Sequence, residues 1–151
     1  MFWIIFSICF GACAAAAATG SYFAPDEWYQ TLKKPSWTPP NWVFPLAWSI
    51  LYLTIAYTGA RIATTDTTGL GMALWSFQIA LNTLWSPIFF GAKKLGDAFV
   101  IILLLWATVI SATASFFAID TLSGWLFVPY AFWVSYAAAL NAWIYFNNRD
   151  A

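Results

Sequence analysis

Lys33-Lys34-Pro35-Ser36-Trp37-Thr38-Pro39-Pro40-Asn41-Trp42-Val43-Phe44-Pro45-Leu46-Ala47-Trp48 sets three tryptophans and four prolines within sixteen residues. A lysine pair stands in front of it and a long apolar run follows. A soluble core has little use for this mixture, because proline breaks helix interiors and a buried indole N–H needs an acceptor. At a membrane surface the same residues fit together. Tryptophan settles at headgroup depth, lysine stays in water, and proline shapes the chain before it enters the bilayer. The stretch therefore reads as a rigid aromatic entry to a transmembrane helix.

Composition extends that reading to the whole chain. It is 62% hydrophobic and 8% charged, with a mean hydropathy of +0.72, which belongs to the membrane class. Net charge is zero, so no nucleic-acid partner is indicated. Histidine is missing altogether. That removes the commonest metal ligand, haem ligand and acid–base catalyst together, and no metal or cofactor is expected. Cys9 and Cys13 lie one helical turn apart in an apolar run. They read as small packing residues, with a redox or metal role as the alternative.

Charges divide the rest. None occurs before Asp26, between Lys34 and Arg61, between Asp66 and Lys93, between Asp97 and Asp120, or between Asp120 and Arg149. Each window holds the roughly 20 residues that a spanning helix needs. The expected fold is an all-α integral membrane protein of one domain over 1–151, with five transmembrane helices near 2–20, 42–63, 70–90, 97–118 and 122–146. Phe2 to Phe10 followed by alanines also resembles a signal peptide, but no basic residue precedes the apolar run. With five spans, Lys33, Lys34, Lys93, Lys94 and Arg149 share one side, and only Arg61 lies on the other. The positive-inside bias then puts the first loop in the cytoplasm and the N-terminus outside a bacterial cell membrane. An outer membrane, where that bias does not operate, is the alternative.

Several spans carry polar or aromatic stripes. Phe44, Trp48 and Tyr52 share a face of the second; Gln78, Asn82 and Trp85 share one on the third; Tyr130, Trp133, Ala137 and Asn141 share one on the fifth. A carboxamide facing lipid is costly, so Gln78 and Asn82 should face the bundle interior. There they either bond neighbouring helices or, with the aromatic rings, line a pocket for a flat hydrophobic ligand. Of the tryptophans, Trp3, Trp125 and Trp143 fall near span ends as interface anchors, and Trp106 packs or faces lipid. Trp28, Trp37 and Trp42 serve either the aromatic belt or a ligand. Trp48, Trp85 and Trp133 lie deeper and share faces with polar groups.

No Asp, Glu, Lys or Arg lies deep in any expected span, which argues against ion-coupled transport. Nor does a P-loop, a G-x-S-x-G elbow or a zinc motif occur. What remains is ligand binding, or light- and radical-type chemistry on Trp and Tyr. Gly69 with Ala73, and Ser76 with Ala80, form small-x-x-x-small pairs that suit either a homodimer face or packing within the bundle.

Pro25-Asp26-Glu27-Trp28-Tyr29, Leu32, Lys34-Pro35 and Trp37 through Trp48 together resemble the first signature of the TspO/MBR family, the tryptophan-rich sensory and translocator (peripheral-type benzodiazepine receptor) proteins. Asn82-Thr83-Leu84-Trp85-Ser86-Pro87-Ile88-Phe89-Phe90-Gly91 looks like its second signature. Phe127-Val128-Pro129-Tyr130 with Trp133 and Leu140-Asn141 looks like its third. The resemblance implies a five-helix bundle, usually a homodimer, whose first loop acts as a lid over a pocket for porphyrins such as protoporphyrin IX, and in many members for drugs or cholesterol. By motif, that pocket would include Trp28, Phe44, Trp48, Tyr52, Asn82, Phe89, Phe90, Trp133 and Ala137. Trp48 and Trp133 match tryptophans implicated in light-dependent porphyrin breakdown, and would be catalytic if that reaction occurs. Two departures stand out. Ser36 replaces a frequent loop tryptophan, and Leu140-Asn141-Ala142-Trp143 departs from the cholesterol-linked segment, which counts against cholesterol. The leading expectation is a receptor, carrier or sensor of porphyrins; the alternatives are photo-oxidative degradation of bound porphyrin and a small ion-coupled exporter.

Overall fold

Each charge-free window holds one long helix. A computed structural model describes residues 1–149. It contains α1 (Phe2–Tyr22), α2 (Glu27–Thr31), α3 (Val43–Thr65), α4 (Leu70–Ser86), a π-helical turn (Pro87–Gly91), α5 (Leu95–Ile119) and α6 (Thr121–Asn147), with no strand among the described residues. Local chemistry explains the boundaries. Asp26 caps α2 by accepting from the Tyr29 N–H at 3.1 Å. Pro45 sits in the first turn of α3, where its missing N–H leaves no bond unmade. After α3, the Asp66 carboxylate accepts from the N–H groups of Thr68 and Gly71 and from the Thr68 hydroxyl, which starts α4. Those bonds hold its pKa below the ordinary carboxylate value.

The third window departs from a continuous α-helix. Pro87 has no N–H for the Thr83 carbonyl, and the chain widens into a π turn closed by Ala92 N–H to the Pro87 carbonyl at 2.8 Å. The positive φ of Lys93, 59°, then ends the turn.

α1, α3 and α5 are long and apolar enough to cross a membrane. α4 stops at 17 residues where the π turn begins. Large apolar side chains, among them Ile4, Ile8, Ile50, Leu53, Leu103 and Phe132, face outward around the helices. Such a surface belongs in lipid rather than water. The chain is an integral, multi-pass membrane protein.

The two ends of the molecule are joined differently. At one end Gly59 lets α3 approach α1 and α4; a Cβ there would lie 2.8 Å from Cys9 Sγ and from the Trp75 indole. Trp75 Nε1 donates to the Ile55 carbonyl at 2.9 Å. Nearby, the Arg61 guanidinium donates twice to Asp120, at 2.7 and 3.0 Å, pushing that carboxyl down to about 2. At the other end gather the first loop, the turn before α5 and the end of α6. Asp26 lies 3.8 Å from Lys93. The Asn148 carboxamide accepts from Lys33 N–H at 2.9 Å and donates to the Lys33 carbonyl at 3.0 Å.

Gly69, Ala73, Ser76 and Ala80 all lie exposed along α4, so they do not pack within the bundle. Trp143 is half-buried against the cluster of Tyr29, Leu140 and Ile144.

Candidate functional site

Three helix faces converge toward the first-loop end. α3 presents Phe44, Trp48 and Tyr52 at four-residue steps, so their rings follow one stripe. Trp48 stacks on Tyr52 with centroids 5.5 Å apart and meets Trp133 edge-on at 6.3 Å. Phe44 meets the same Trp133 at 5.9 Å. Trp133 in turn stacks on Tyr136 at 5.8 Å. In the π turn Phe89 is buried and stacks on Trp85 at 4.7 Å, with Phe90 beside it.

A chain of hydrogen bonds ties these walls together. Tyr52 O–H donates to Asn82 Oδ1 at 2.9 Å, Asn82 Nδ2 donates to the Tyr130 oxygen at 2.8 Å, and Tyr130 O–H donates to Gln78 Oε1 at 2.7 Å. The interior placement expected of Gln78 and Asn82 holds: Gln78 is fully buried and Asn82 nearly so. Alongside, Trp85 Nε1 donates to Asn141 Oδ1 at 2.9 Å, and Asn141 Nδ2 to the Leu95 carbonyl at 3.3 Å. Gln78 Nε2 and Trp133 Nε1 are left buried with no acceptor, an unmet bonding capacity worth about 1–3 kcal/mol each.

These walls enclose a cavity of about 850 Å³, the size of a small-molecule site. Phe44, Trp48, Tyr52, Asn82, Phe89, Phe90, Trp133 and Ala137 all line it, as does Trp85. No charged side chain is among its lining residues.

Trp28 stands apart from the wall. Its ring meets Phe89 edge-on at 6.1 Å from behind, and the Lys93 ammonium lies 5.6 Å over it. The neighbouring Tyr29 takes the wall position, buried against Phe90 at 5.5 Å. Lys34 Nζ donates to the Tyr29 carbonyl at 2.8 Å and lies 4.6 Å over its ring. Burial, and then the nearby Tyr136, push the Tyr29 hydroxyl's pKa up.

A second wall escaped the reading of polar stripes. Phe10, Cys13, Ala14, Ala17, Gly20 and Ser21 of α1 line the cavity, at the three- and four-residue spacing of one helix face. The signal was present as a run of small residues, which offers a smooth surface instead of a polar mark. Nor is Trp75, wedged at the opposite end, marked by any such stripe.

With this geometry in view, the comparisons with known proteins become specific. The profile of the TspO/MBR family matches residues 9–146. This chain belongs to the TspO/MBR family. It is 48% identical over 141 residues to protein CrtK of Rhodobacter capsulatus, covering 91% of this chain and 88% of that protein. To the tryptophan-rich sensory protein of Cereibacter sphaeroides it is 43% identical over 141 residues, 93% of this chain and 89% of the relative. To the human translocator protein it is 34% identical over 138 residues, 86% and 82% respectively. The TspO/MBR match spans every residue of the cavity lining, from Phe10 to Ile144.

Proposed function

We propose that this TspO/MBR protein is a membrane receptor, carrier or sensor that binds a porphyrin-like tetrapyrrole, or another flat hydrophobic ligand, inside its helix bundle. The bundle is read as one five-span domain in a bacterial membrane, as a homodimer, with the first loop cytoplasmic and serving as a lid. The observation that carries the reading is the cavity itself. It is an uncharged chamber of about 850 Å³ whose walls alternate indole, phenol and phenyl rings with three carboxamides, Asn41, Asn82 and Asn141. Aromatic walls suit a planar π-system, and a few fixed polar groups orient it.

Phe44, Trp48, Tyr52, Asn82, Phe89, Phe90, Trp133 and Ala137 are assigned to ligand contact, with Trp28 acting from behind Phe89. Titrating protoporphyrin IX into the purified protein while following tryptophan quenching tests this. Saturable quenching that weakens about tenfold or more in an Asn82→Ala, Trp133→Phe double variant is the expected result. Unchanged affinity in that variant overturns the pocket assignment.

One observation favours a second reading. Trp48 and Trp133, 6.3 Å apart on one wall, could meet an excited porphyrin as redox-active partners in its photo-oxidative breakdown. Illuminated and dark reactions separate the two. If Trp48→Phe and Trp133→Phe bind porphyrin and bleach it at the wild-type rate, this chemistry is excluded. An ion-coupled exporter is disfavoured, because the cavity offers no ionisable carboxylate or amine to carry a coupling ion.

A further inference from the structure

We propose that the ligand reaches this cavity from the hydrocarbon layer, through a slot between α1 and α3, and not past the first loop. The inference rests on the ligand-binding reading above and concerns the route to that site.

A residue can line a cavity and face the outside of the bundle only where the wall is breached. Nine residues do both. Six form facing edges on two helices, Phe10, Ala14 and Ser21 on α1 and Pro45, Ser49 and Leu53 on α3, and the other three, Ala24, Pro25 and Asn41, continue the breach at the roots of the first loop. Phe10 is 44% exposed and Leu53 55%. The residues that line the cavity from α5, Ile102 and Leu105, are buried, as are Leu140, Asn141 and Ile144 from α6.

The helices part because their two ends have different partners. Far from the first loop they touch: Phe2 meets Tyr57 edge-on at 5.6 Å, and Gly59 admits Cys9. Toward the loop, α1 leans on the end of α4 and the π turn, where Gly20 approaches Ser86 Oγ and Phe23 covers Gly91. α3 leans the other way, with Phe44 against Trp133 on α6. The gap follows geometrically. From Ser21 to Phe10 it runs about 16 Å along α1, about half of the ~30 Å hydrocarbon thickness.

The first loop, by contrast, is fastened. Tyr29 and Leu32 are 3% and 5% exposed. Asn148 holds Lys33 by two bonds, Tyr136 O–H donates to the Trp37 carbonyl, and Asp26 pairs with Lys93. Entry there would require these to open together. The slot needs no such step.

Its chemistry also selects a ligand class. No charged residue borders the slot, and its edges include the small Ala14 and Ser49. An apolar, flat body dissolved in lipid can pass edgewise. Acidic groups on such a molecule would stay at the slot's upper end, where the exposed loop roots Pro25 and Asn41 also line the cavity.

The test uses the full chain in phosphatidylcholine vesicles and stopped-flow tryptophan quenching by protoporphyrin IX mixed into the same vesicles. An Ala14→Trp, Ser49→Trp double variant should slow association and dissociation together by about tenfold. A milder Ser49→Phe variant should slow both by a smaller common factor, and Asn148→Ala should change neither beyond twofold. Wild-type rates in both slot variants overturn the proposal. So does a change in dissociation alone, which would make these residues binding contacts and not a passage, or a large acceleration in Asn148→Ala, which would place the route under the loop. Absence of saturable quenching in the wild-type protein would instead defeat the binding reading itself.

Discussion

The two ends of this bundle use the same residue types to opposite effect. Around Gly59, a tryptophan serves close packing: Trp75 fills the space that a glycine leaves and spends its N–H on the Ile55 carbonyl. Around Asn82, the tryptophans serve separation. Trp48, Trp85 and Trp133 stand against other rings and keep α3, α4 and α6 apart, so that an open chamber remains between them. The difference lies in what faces each indole. Opposite a glycine it closes a contact, and opposite another ring it props one open.

Perturbing each end separately tests this division. The largest effect is expected at the packed end. Gly59→Leu drives a side chain into Cys9 and Trp75, and overpacking of this kind should remove about 3 kcal/mol of stability. The check is thermal unfolding in detergent by circular dichroism. Protein that remains folded should bind protoporphyrin IX within about threefold of wild type, because the glycine lies outside the cavity lining. Equal damage to affinity would mean that the two ends are coupled.

Asn82→Leu strikes the open end. It strands the Tyr52 hydroxyl and removes one bond from Tyr130, a loss of about 1–2 kcal/mol in stability. Porphyrin affinity should fall more steeply than Tm, the reverse of the Gly59 pattern.

A smaller and pH-dependent effect belongs to Asp120. Its carboxyl is held down to about 2, against 3.8 ordinarily, first by the hydrogen bonds from Arg61. The folded state therefore gains stability from the ionised form above the ordinary pKa, and loses it as pH falls from about 4 through 2. Tm measured across that window should decline more in the wild type than in Asp120→Asn, which starts lower and has less to lose.

The smallest change is expected from Asn148→Ala. Releasing Lys33 should raise hydrogen exchange and protease cleavage in residues 23–42 while altering Tm only slightly, by about 1 kcal/mol or less.

Much of this was legible in the chain. With the π turn counted as the end of the third, the long helices end within two residues of the expected spans, because a charge is expensive in lipid and its absence marks a span. The stripes of Phe44, Trp48 and Tyr52 and of Gln78 and Asn82 were legible for a related reason: helical periodicity fixes which residues share a face. Less visible were features without a polar or aromatic mark. The α1 wall of Ala14, Ala17 and Gly20 looks like any alanine-rich run. The inward place of Tyr29 in preference to Trp28 depends on how Asp26 starts one short helical turn.

By itself, then, the sequence determined the membrane class, the helix positions and which face of each helix is aromatic or polar. All of these follow from local rules of solvation and helical repeat. Only the tertiary structure decided that α1 and α3 cross tightly at Gly59 and part toward the first loop, and that the Lys33 backbone is grasped by Asn148. Contacts between residues far apart in the chain depend on how whole helices lean. That lean is set by the sum of many packing contacts, which no single segment records.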